Sequence, residues 1–334
     1  MAGCCPCRRR KSDPTSISGR GGSFPLILFI LSAIPTSLIL SLEQSTKSIS
    51  YLSDHWFHEC AKWDPMSEKF LASTFFGGGL AEVSPDGGEE KVVVKDPAVG
   101  DYMSVGVNID LVRNRVLVVY TDLVWSRYGG IGAYRLGTWD RIFLTQLAGP
   151  GDEPSLADDV AVDEEGNAYI TDAKSNKIWK VSTDGELLSV IKSDIFVQKK
   201  GFLNNFVGLN GIVYHSNGYV LVIHTSTGSL FRINTKTEEI TLVQVEGSLE
   251  RGDGLELMSD DKLVVAGTPS RLVESSDDWI TARVVGRYVG VIHRIPSSAT
   301  VKDGKVYLSH IVGFGFGTKK THRLAEAIFT PLES

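Results

Sequence analysis

Cysteine is scarce in this sequence, which has four cysteines in 334 residues. Three of them, Cys4, Cys5 and Cys7, lie at the N-terminus, and Cys60 stands alone in the rest of the chain. Cys60 has no intramolecular partner if the N-terminus is removed or stays across a membrane, so a disulfide framework is excluded. The N-terminal cluster has no second cysteine pair at zinc-ligand spacing, which argues against a zinc site there.

Beyond the N-terminus, acidic side chains outnumber basic ones. Residues 1–44 hold five basic and two acidic side chains, and the remainder carries a net charge of about −9. Such an acidic body repels a phosphate backbone, so nucleic-acid binding is excluded and a cation is the more natural partner. The mean hydropathy of +0.00 also excludes a polytopic membrane protein.

The common nucleotide and hydrolase motifs are missing. The sequence contains no G-x-S-x-G elbow, no P-loop and no dinucleotide-binding fingerprint. The glycine-rich stretches 128–132 and 313–317 lack a strand-to-helix context and are interpreted as loop glycines.

One segment is membrane-like. Residues 24–42 contain no charged side chain, and a helix of this length spans about 28 Å, close to the thickness of a hydrocarbon core. A basic tail, residues 1–23, precedes the segment, and residues 43–49 form a linker. The pattern predicts a transmembrane or signal-anchor helix, with the rest of the chain lumenal or extracytosolic. A cleaved signal peptide, which would give a secreted protein, and a transit peptide are the alternatives.

A repeat of short strands fills the rest of the chain. Asp158–Lys192 reads as four β runs separated by turns rich in glycine, asparagine and aspartate. The unit recurs about every 43–53 residues, with anchors at Asp64, Asp110, Asp163, His215, Met258 and Val301. Each unit is long enough for one four-stranded blade. We expect an all-β, six-bladed β-propeller over residues 50–330, closed by pairing of residues 322–329 with 48–52. A two-sheet β-sandwich is the alternative.

The repeat also predicts which side chains share the central channel. Five residues before the anchors stand Glu59, Val105, Asp158, Asn210, Asp253 and Pro296. Three carboxylates and one amide from different blades form an oxygen set suited to a hard cation, most simply Ca²⁺. We predict a divalent metal site formed by Glu59, Asp158, Asn210 and Asp253. Ordinary turn chemistry before a strand is the competing interpretation for each of them.

Two histidines fall at a second equivalent position, nine residues after the anchors. His224 and His310 are predicted to lie near the channel mouth, where either could act as a general base. A hydrogen-bonded structural histidine is the alternative for both. Aromatic residues in the loops suggest a hydrophobic ligand, although such residues also cap propellers: Trp125, Tyr128, Phe202, Phe206 and Trp279.

Four stretches resemble the senescence-marker protein/gluconolactonase-like propellers of the calcium-dependent phosphotriesterase superfamily. They are E-C-A-K-W-D (Glu59–Asp64), the central repeat Asp158–Asp172, L-N-G-I (Leu209–Ile212) and G-D-G-L (Gly252–Leu255). The central repeat also resembles NHL repeats.

The resemblance implies that one divalent metal is held by Glu59, Asn210 and Asp253, with Asp253 also the catalytic base. Asp158 stands where the family usually has asparagine, and E-C-A replaces the family's E-G-P at Glu59. The histidine dyad of paraoxonase-type relatives has no counterpart here.

These observations predict a metal-dependent hydrolase, with Ca²⁺ as cofactor, that acts on a lactone or another small-molecule ester. Its catalytic residues would be Asp253, His224 and His310, and residues 24–42 would anchor it to a membrane. The alternative is a non-catalytic NHL-type propeller that binds a protein or ligand partner. A strictosidine-synthase-like condensing role is a third possibility. The sequence does not specify the substrate or the oligomeric state.

Overall fold

The computed structural model describes residues 1, 3, 35–197 and 206–332. The chain divides into two units, Met1–Gln44 and Ser45–Ser334. Of the predicted membrane segment, residues 24–34 lie outside the described residues, and residues 35–42 belong to a helix that continues to residue 45. Among the helices that are described, none has both the length and the apolar character needed to cross a membrane.

The second unit is built of β-strands. In chain order, the first ten are β1 (Ser48–Ser53), β2 (Ala61–Asp64), β3 (Lys69–Ser73), β4 (Gly79–Val83), β5 (Gly88–Glu89), β6 (Lys91–Lys95), β7 (Met103–Asp110), β8 (Arg115–Thr121), β9 (Gly129–Arg135) and β10 (Arg141–Ala148). The next eight are β11 (Ala157–Val162), β12 (Ala168–Asp172), β13 (Lys177–Val181), β14 (Leu187–Lys192), β15 (Leu209–His215), β16 (Tyr219–His224), β17 (Ser229–Asn234) and β18 (Ile240–Glu246). The last eight are β19 (Gly252–Ser259), β20 (Lys262–Gly267), β21 (Ser270–Glu274), β22 (Thr281–Tyr288), β23 (Pro296–Lys302), β24 (Lys305–His310), β25 (Lys320–Glu326) and β26 (Thr330–Pro331). Short 3₁₀ helices cover Asp194–Phe196 and Ile292–Arg294.

Over the described part of the chain the strands form six four-stranded antiparallel sets. Five sets are consecutive in sequence: β2-β3-β4-β6, β7 to β10, β11 to β14, β15 to β18, and β19 to β22. The sixth set is β23-β24-β25-β1. Short parallel pairings join β18 to β22 and β1 to β5.

Burial within each set follows the position of the strand. All five residues of β12 are buried, whereas four of the six residues of β14, the last strand of the same set, are exposed. A strand covered on both faces reads as an unbroken apolar run, and an outer strand keeps a polar face. Sharp turns join neighbouring strands, as at Gly166, whose φ of 90° suits glycine.

The first strand of the chain closes the last sheet. β1 runs antiparallel to β25, with Tyr51 opposite His322 and Leu52 opposite Thr321. Tyr51 is 2% exposed and Leu324 is fully buried, so this pairing is part of the core. The prediction that residues 322–329 pair with residues 48–52 is confirmed for residues 322–325, and the pairing extends back to residue 320 rather than forward to residue 329.

The first strands of successive sets contact one another, so that β2, β7, β11, β15, β19 and β23 form a continuous series that returns to β2. The hydrophobic core lies between neighbouring sheets; one cluster joins Leu117 and Ile131 to Ile170 and Trp179. This is the architecture of an all-β propeller rather than a two-sheet sandwich. It brings the start of each first strand to one end of the series.

Candidate functional site

A β-bulge lies at the predicted site position on most of the first strands. The pairing register shifts between Ala157 and Val160 in β11, between Leu209 and Ile212 in β15, and between Gly252 and Leu255 in β19. β7 and β23 have equivalent shifts. A bulge inserts one residue and redirects a side chain. Asp158, Asn210 and Asp253 lie inside these bulges.

Glycine next to the bulges allows the first strands to pack closely. A Cβ atom on Gly106 would lie 2.5 Å from the Asp158 carbonyl oxygen, and one on Gly211 would lie 2.2 Å from that of Asp253. A Cβ atom on Gly254 would lie 2.7 Å from the Ser297 carbonyl oxygen. The absence of side chains at these positions therefore lets the backbone of each bulge approach the next one.

The three predicted carboxylates interact with one another. Loss of solvent, together with the charges of Asp158 and Asp253, raises the pKa of Glu59 well above its usual value. Loss of solvent and the charge of Asp253 have the same effect on the pKa of Asp158. Burial raises the pKa of Asp253 to about 7, although a hydrogen bond from Asn210 opposes the increase. The structure thus brings Glu59, Asp158, Asn210 and Asp253 into one cluster, hereafter the carboxylate cluster.

Sequence reasoning missed Asp159, which also belongs to the carboxylate cluster. Its Oδ2 accepts a hydrogen bond from the Ile212 backbone N–H at 3.3 Å. Burial raises the pKa of Asp159 to about 6, and Lys62 opposes that rise. Asp159 in turn contributes to the raised pKa of Asp253. The adjacent Asp158-Asp159 pair in the sequence was the available signal, because a bulge can turn both neighbours toward one side.

Lys62 is a second residue that was missed. Its ammonium group donates to Glu256 Oε2 at 2.6 Å, to the Ala299 carbonyl at 2.9 Å and to the Leu255 carbonyl at 3.5 Å. Burial lowers the pKa of Lys62, but the charges of Glu256 and Asp159 outweigh this, and the net pKa is raised. Lys62 therefore supplies positive charge beside the carboxylate cluster.

The two predicted histidines lie at the same end of the sheets as the cluster. His224 is opposite Leu209, and His310 is opposite Pro296. Both are at most 1% exposed. His310 Nδ1 lies 3.3 Å from the Arg323 carbonyl oxygen, as the structural interpretation expects. A catalytic role for either histidine stays a prediction.

His224 differs from His310. Neither of its buried ring nitrogens has a hydrogen-bond partner in the structure. Burial lowers the pKa of His224 to about 4, so the ring is neutral at pH 7. A neutral imidazole has one acceptor nitrogen and one donor N–H, which suits hydrogen bonding to a ligand or water.

The donors of the carboxylate cluster fit calcium by their chemistry. They are oxygen atoms, four of the five residues are acidic, and the buried Oδ2 of Asp158 has no hydrogen-bond partner. Across the residues that the structure describes, however, no three His, Cys, Asp or Glu side chains stand in an arrangement that could hold a metal ion. The residue types match the ion, and side-chain movement would be needed to complete its coordination.

The opposite end of the sheets differs from the cluster in its hydrogen bonding. A cavity of about 740 Å³ there is lined by Asp110 and Asp163, among others. Asp110 accepts from Arg115 Nε at 2.9 Å, and Asp163 accepts from the Asn167 backbone and side chain. These carboxylates stabilise turns, so the end that carries the carboxylate cluster is the better functional candidate.

The loop aromatics suggested for a hydrophobic ligand have different environments. Trp279 and Tyr128 are 1% and 7% exposed and pack in the core, so they cannot form an open ligand surface. Trp125 and Phe206 are exposed, at 67% and 64%. Phe202 lies outside the described residues.

No family model and no curated protein matches this sequence. Similar solved structures include the major allergen Mala s 1 of Malassezia sympodialis, at 13% identity and a TM-score of 0.63, covering 81% of this chain and 92% of that one. A putative gluconolactonase shows 14% identity and a TM-score of 0.56, covering 86% and 94%. A catalytically inactive virginiamycin B lyase from Staphylococcus aureus with quinupristin shows 11% identity and a TM-score of 0.54, covering 80% of each chain. At these identities the likeness is one of fold alone, and it agrees with the propeller architecture described above.

Proposed function

We propose that this protein is a hydrolase of lactones or other carboxylic esters, built as a six-bladed ring from its six four-stranded sets. The observation that carries the proposal is the carboxylate cluster, to which β11 contributes Asp158, β19 contributes Asp253 and the segment before β2 contributes Glu59. The charge of Asp253 raises the pKa of Asp158, and the charges of both raise the pKa of Glu59. Clustered carboxylates with strongly shifted pKa values destabilise the folded state and are enriched at functional sites. The gluconolactonase-like fold supports a hydrolase.

Glu59, Asp158, Asn210 and Asp253 would hold a divalent cation, best matched by Ca²⁺. A bound ion would polarise the ester carbonyl and lower the pKa of a water molecule. Asp253 would also accept the proton of the attacking water. Attack on the carbonyl carbon and cleavage of the acyl C–O bond would give a carboxylic acid and an alcohol, joined in one molecule when the substrate is a lactone.

The test is turnover of lactones and aryl esters by the purified full-length chain. In the Asp253→Asn variant we expect turnover to fall about 10²–10⁴-fold, the usual contribution of a general base. Removal of calcium with a chelator should abolish turnover, and calorimetry should show loss of calcium binding in the same variant. Asp184→Asn, an exposed aspartate in the β13–β14 turn, is the matched control and should change neither property. Full turnover in Asp253→Asn would contradict the proposal.

A non-catalytic propeller is the second candidate. The observation that favours it is the absence, within the described ranges, of a preassembled three-residue metal site. In that case the carboxylate cluster would serve protein or ligand binding, and the purified protein would neither bind calcium nor hydrolyse any ester.

For its location, we propose a membrane anchor at residues 24–42 with the propeller on the lumenal or extracytosolic side. The supporting observation is the uncharged run preceded by Arg8, Arg9, Arg10 and Lys11. Protease protection of a tagged chain in sealed microsomes tests this, and retention of the protein in the cytosolic fraction would contradict it.

A further inference from the structure

Three phenylalanine rings form a partly exposed cluster at the end of the sheets that carries the carboxylates. The ring centroids of Phe57 and Phe75 are 6.1 Å apart, those of Phe57 and Phe76 are 5.6 Å apart, and those of Phe75 and Phe76 are 4.9 Å apart. Phe76 is 53% exposed. Exposed apolar rings forgo the free energy that burial would supply, and a surface group of such rings marks a binding surface. We call these three residues the phenylalanine cluster.

The backbone ties the phenylalanine cluster to the site. Phe57 stands two residues before Glu59, and the Ser73 backbone N–H donates to the Cys60 carbonyl oxygen at 2.9 Å, so the β3–β4 turn lies at the same end. Phe75 forms a bridge with Ser104, the residue before Val105. Phe75 also has a φ of 47°, which is rare for a bulky side chain and costs free energy.

The ring of equivalent positions combines polar and apolar residues. Asp158, Asn210 and Asp253 come from β11, β15 and β19, which are neighbours in the series. The corresponding residues on β7 and β23 are Val105 and Pro296, which are both buried and which flank the Glu59 position before β2. The phenylalanine cluster stands on this side of the series, on the segments that flank β2 and β3. A molecule in the site would therefore meet hydrocarbon next to Glu59 on one side and three oxygen-bearing side chains on the other.

We infer that the substrate is a neutral ester or lactone with an aromatic group, which binds against the phenylalanine cluster while its carbonyl faces the carboxylate cluster. This inference rests on the proposed hydrolase function and adds the substrate class. Aromatic rings pair favourably at centroid distances of 4.5–7 Å, the spacing that the cluster already shows. An anionic group at the phenylalanine cluster is disfavoured, because the three aromatic rings offer it neither a positive charge nor a hydrogen-bond donor.

Binding of unreactive lactams tests the inference on the full-length protein. Dihydroquinolinone is the lactam analogue of an aryl lactone, and valerolactam is the same type of ring without the aromatic group. Calorimetry should show that the wild-type protein binds dihydroquinolinone about tenfold more tightly, as expected from burial of roughly 60 Å² of apolar surface. In Phe76→Ala and Phe57→Ala this ratio should fall to about threefold or less.

Two controls keep the outcome interpretable. Met66→Ala removes a side chain that is 81% exposed in the β2–β3 turn, at the other end of the strands, and should leave the ratio unchanged. Phe76→Leu keeps an apolar side chain without the ring; it should give an intermediate ratio, and thermal unfolding should show that each variant is folded. Equal binding of both lactams by the wild-type protein, or an unchanged ratio in both alanine variants, would overturn the inference.

The lactam experiment also separates this inference from the hydrolase proposal, since lactams are bound without being turned over. If the aromatic preference depends on Phe57 and Phe76 but no ester is hydrolysed, the aromatic site stands and the hydrolase proposal fails. If esters are hydrolysed with no aromatic preference, the substrate class is wrong and the hydrolase proposal stands.

Discussion

At the residue scale, Lys62 is a largely buried side chain whose positive charge needs partners within the protein. Its three hydrogen bonds reach the side chain of Glu256 and two backbone carbonyls, and its side chain is 13% exposed. Breaking a largely buried ion pair costs more than the pair contributes, because one charge is left without its partner.

Replacing Lys62 by methionine should therefore lower the free energy of unfolding by about 2–4 kcal/mol, since Glu256 and Asp159 lose their cation. The double variant Lys62→Met/Glu256→Leu should recover at least about half of this loss. Urea denaturation of the single and double variants measures the coupling. Additive effects of the two changes would show that the pair is not energetically linked.

Glu90 gives a prediction about pH. Its carboxyl accepts from Ser53 Oγ at 2.5 Å, its Oε2 lies 3.2 Å from His58 Nε2, and burial raises its pKa to about 7 from an ordinary value of 4.5. Folding thus favours the protonated acid. The stabilising contribution is complete below about pH 4.5 and is lost as pH rises through 7, because the folded state then loses a proton that the unfolded state has already released.

The Glu90→Gln variant removes this titration. The free energy of unfolding of the wild type, relative to Glu90→Gln, should decrease by about 2–3 kcal/mol between pH 5 and pH 8. Chemical denaturation at a series of pH values measures the difference. A difference that does not change with pH would show that Glu90 has an ordinary pKa in the folded protein.

At the scale of the strand, the bulges determine what the site contains. The fixed spacing of the repeat predicted the positions of Glu59, Asp158, Asn210 and Asp253 at one end of the sheets, because equivalent residues in equivalent strands point the same way. It did not predict Asp159. Side chains alternate between the two faces of a regular strand, but the bulge in β11 breaks this alternation, and the sequence pattern does not reveal where the break occurs. Lys62 was missed because lysine in a sequence is usually interpreted as surface.

Gly211, which follows the bulged site residue Asn210, gives a test at this scale. In Gly211→Ala the new Cβ atom would contact the Asp253 carbonyl oxygen, and this contact involves backbone, which cannot rotate away. We expect the free energy of unfolding to fall by about 2–3 kcal/mol. Gly137→Ala, where φ is 83° and the added methyl group meets open space, should cost only about 1 kcal/mol. Similar losses in both variants would show that the close approach of β15 and β19 has no energetic weight.

At the scale of the whole molecule, the repeat was sufficient to predict a propeller and its closing strand pair. The exposure of individual aromatic residues was not predictable, because it depends on which turns pack against neighbouring sheets. Trp279, expected in a ligand loop, is buried in the core that joins the β15–β18 set to the β19–β22 set. Phe76, which no sequence pattern singled out, is exposed beside the site.

Closure by β1 can be tested by truncation. A chain that begins at residue 54 lacks β1 and leaves the edge of β25 unpaired, whereas a chain that begins at residue 45 retains it. We expect the shorter chain to melt about 10 °C lower or more and to form oligomers through the open edge. Differential scanning calorimetry and size-exclusion chromatography measure both properties. Equal melting temperatures would mean that β1 does not hold the last sheet.

The partnership of β1 with β25 also has a consequence for how the protein is made. Arg323 hydrogen-bonds Ser48, a residue that lies 275 positions earlier in the chain. At a translation rate of 5–20 residues per second, β1 leaves the ribosome roughly 15–55 seconds before its neighbour exists. For that time the nascent polypeptide carries β1 without the strand that pairs with its whole length, and we expect chaperones to bind it during synthesis.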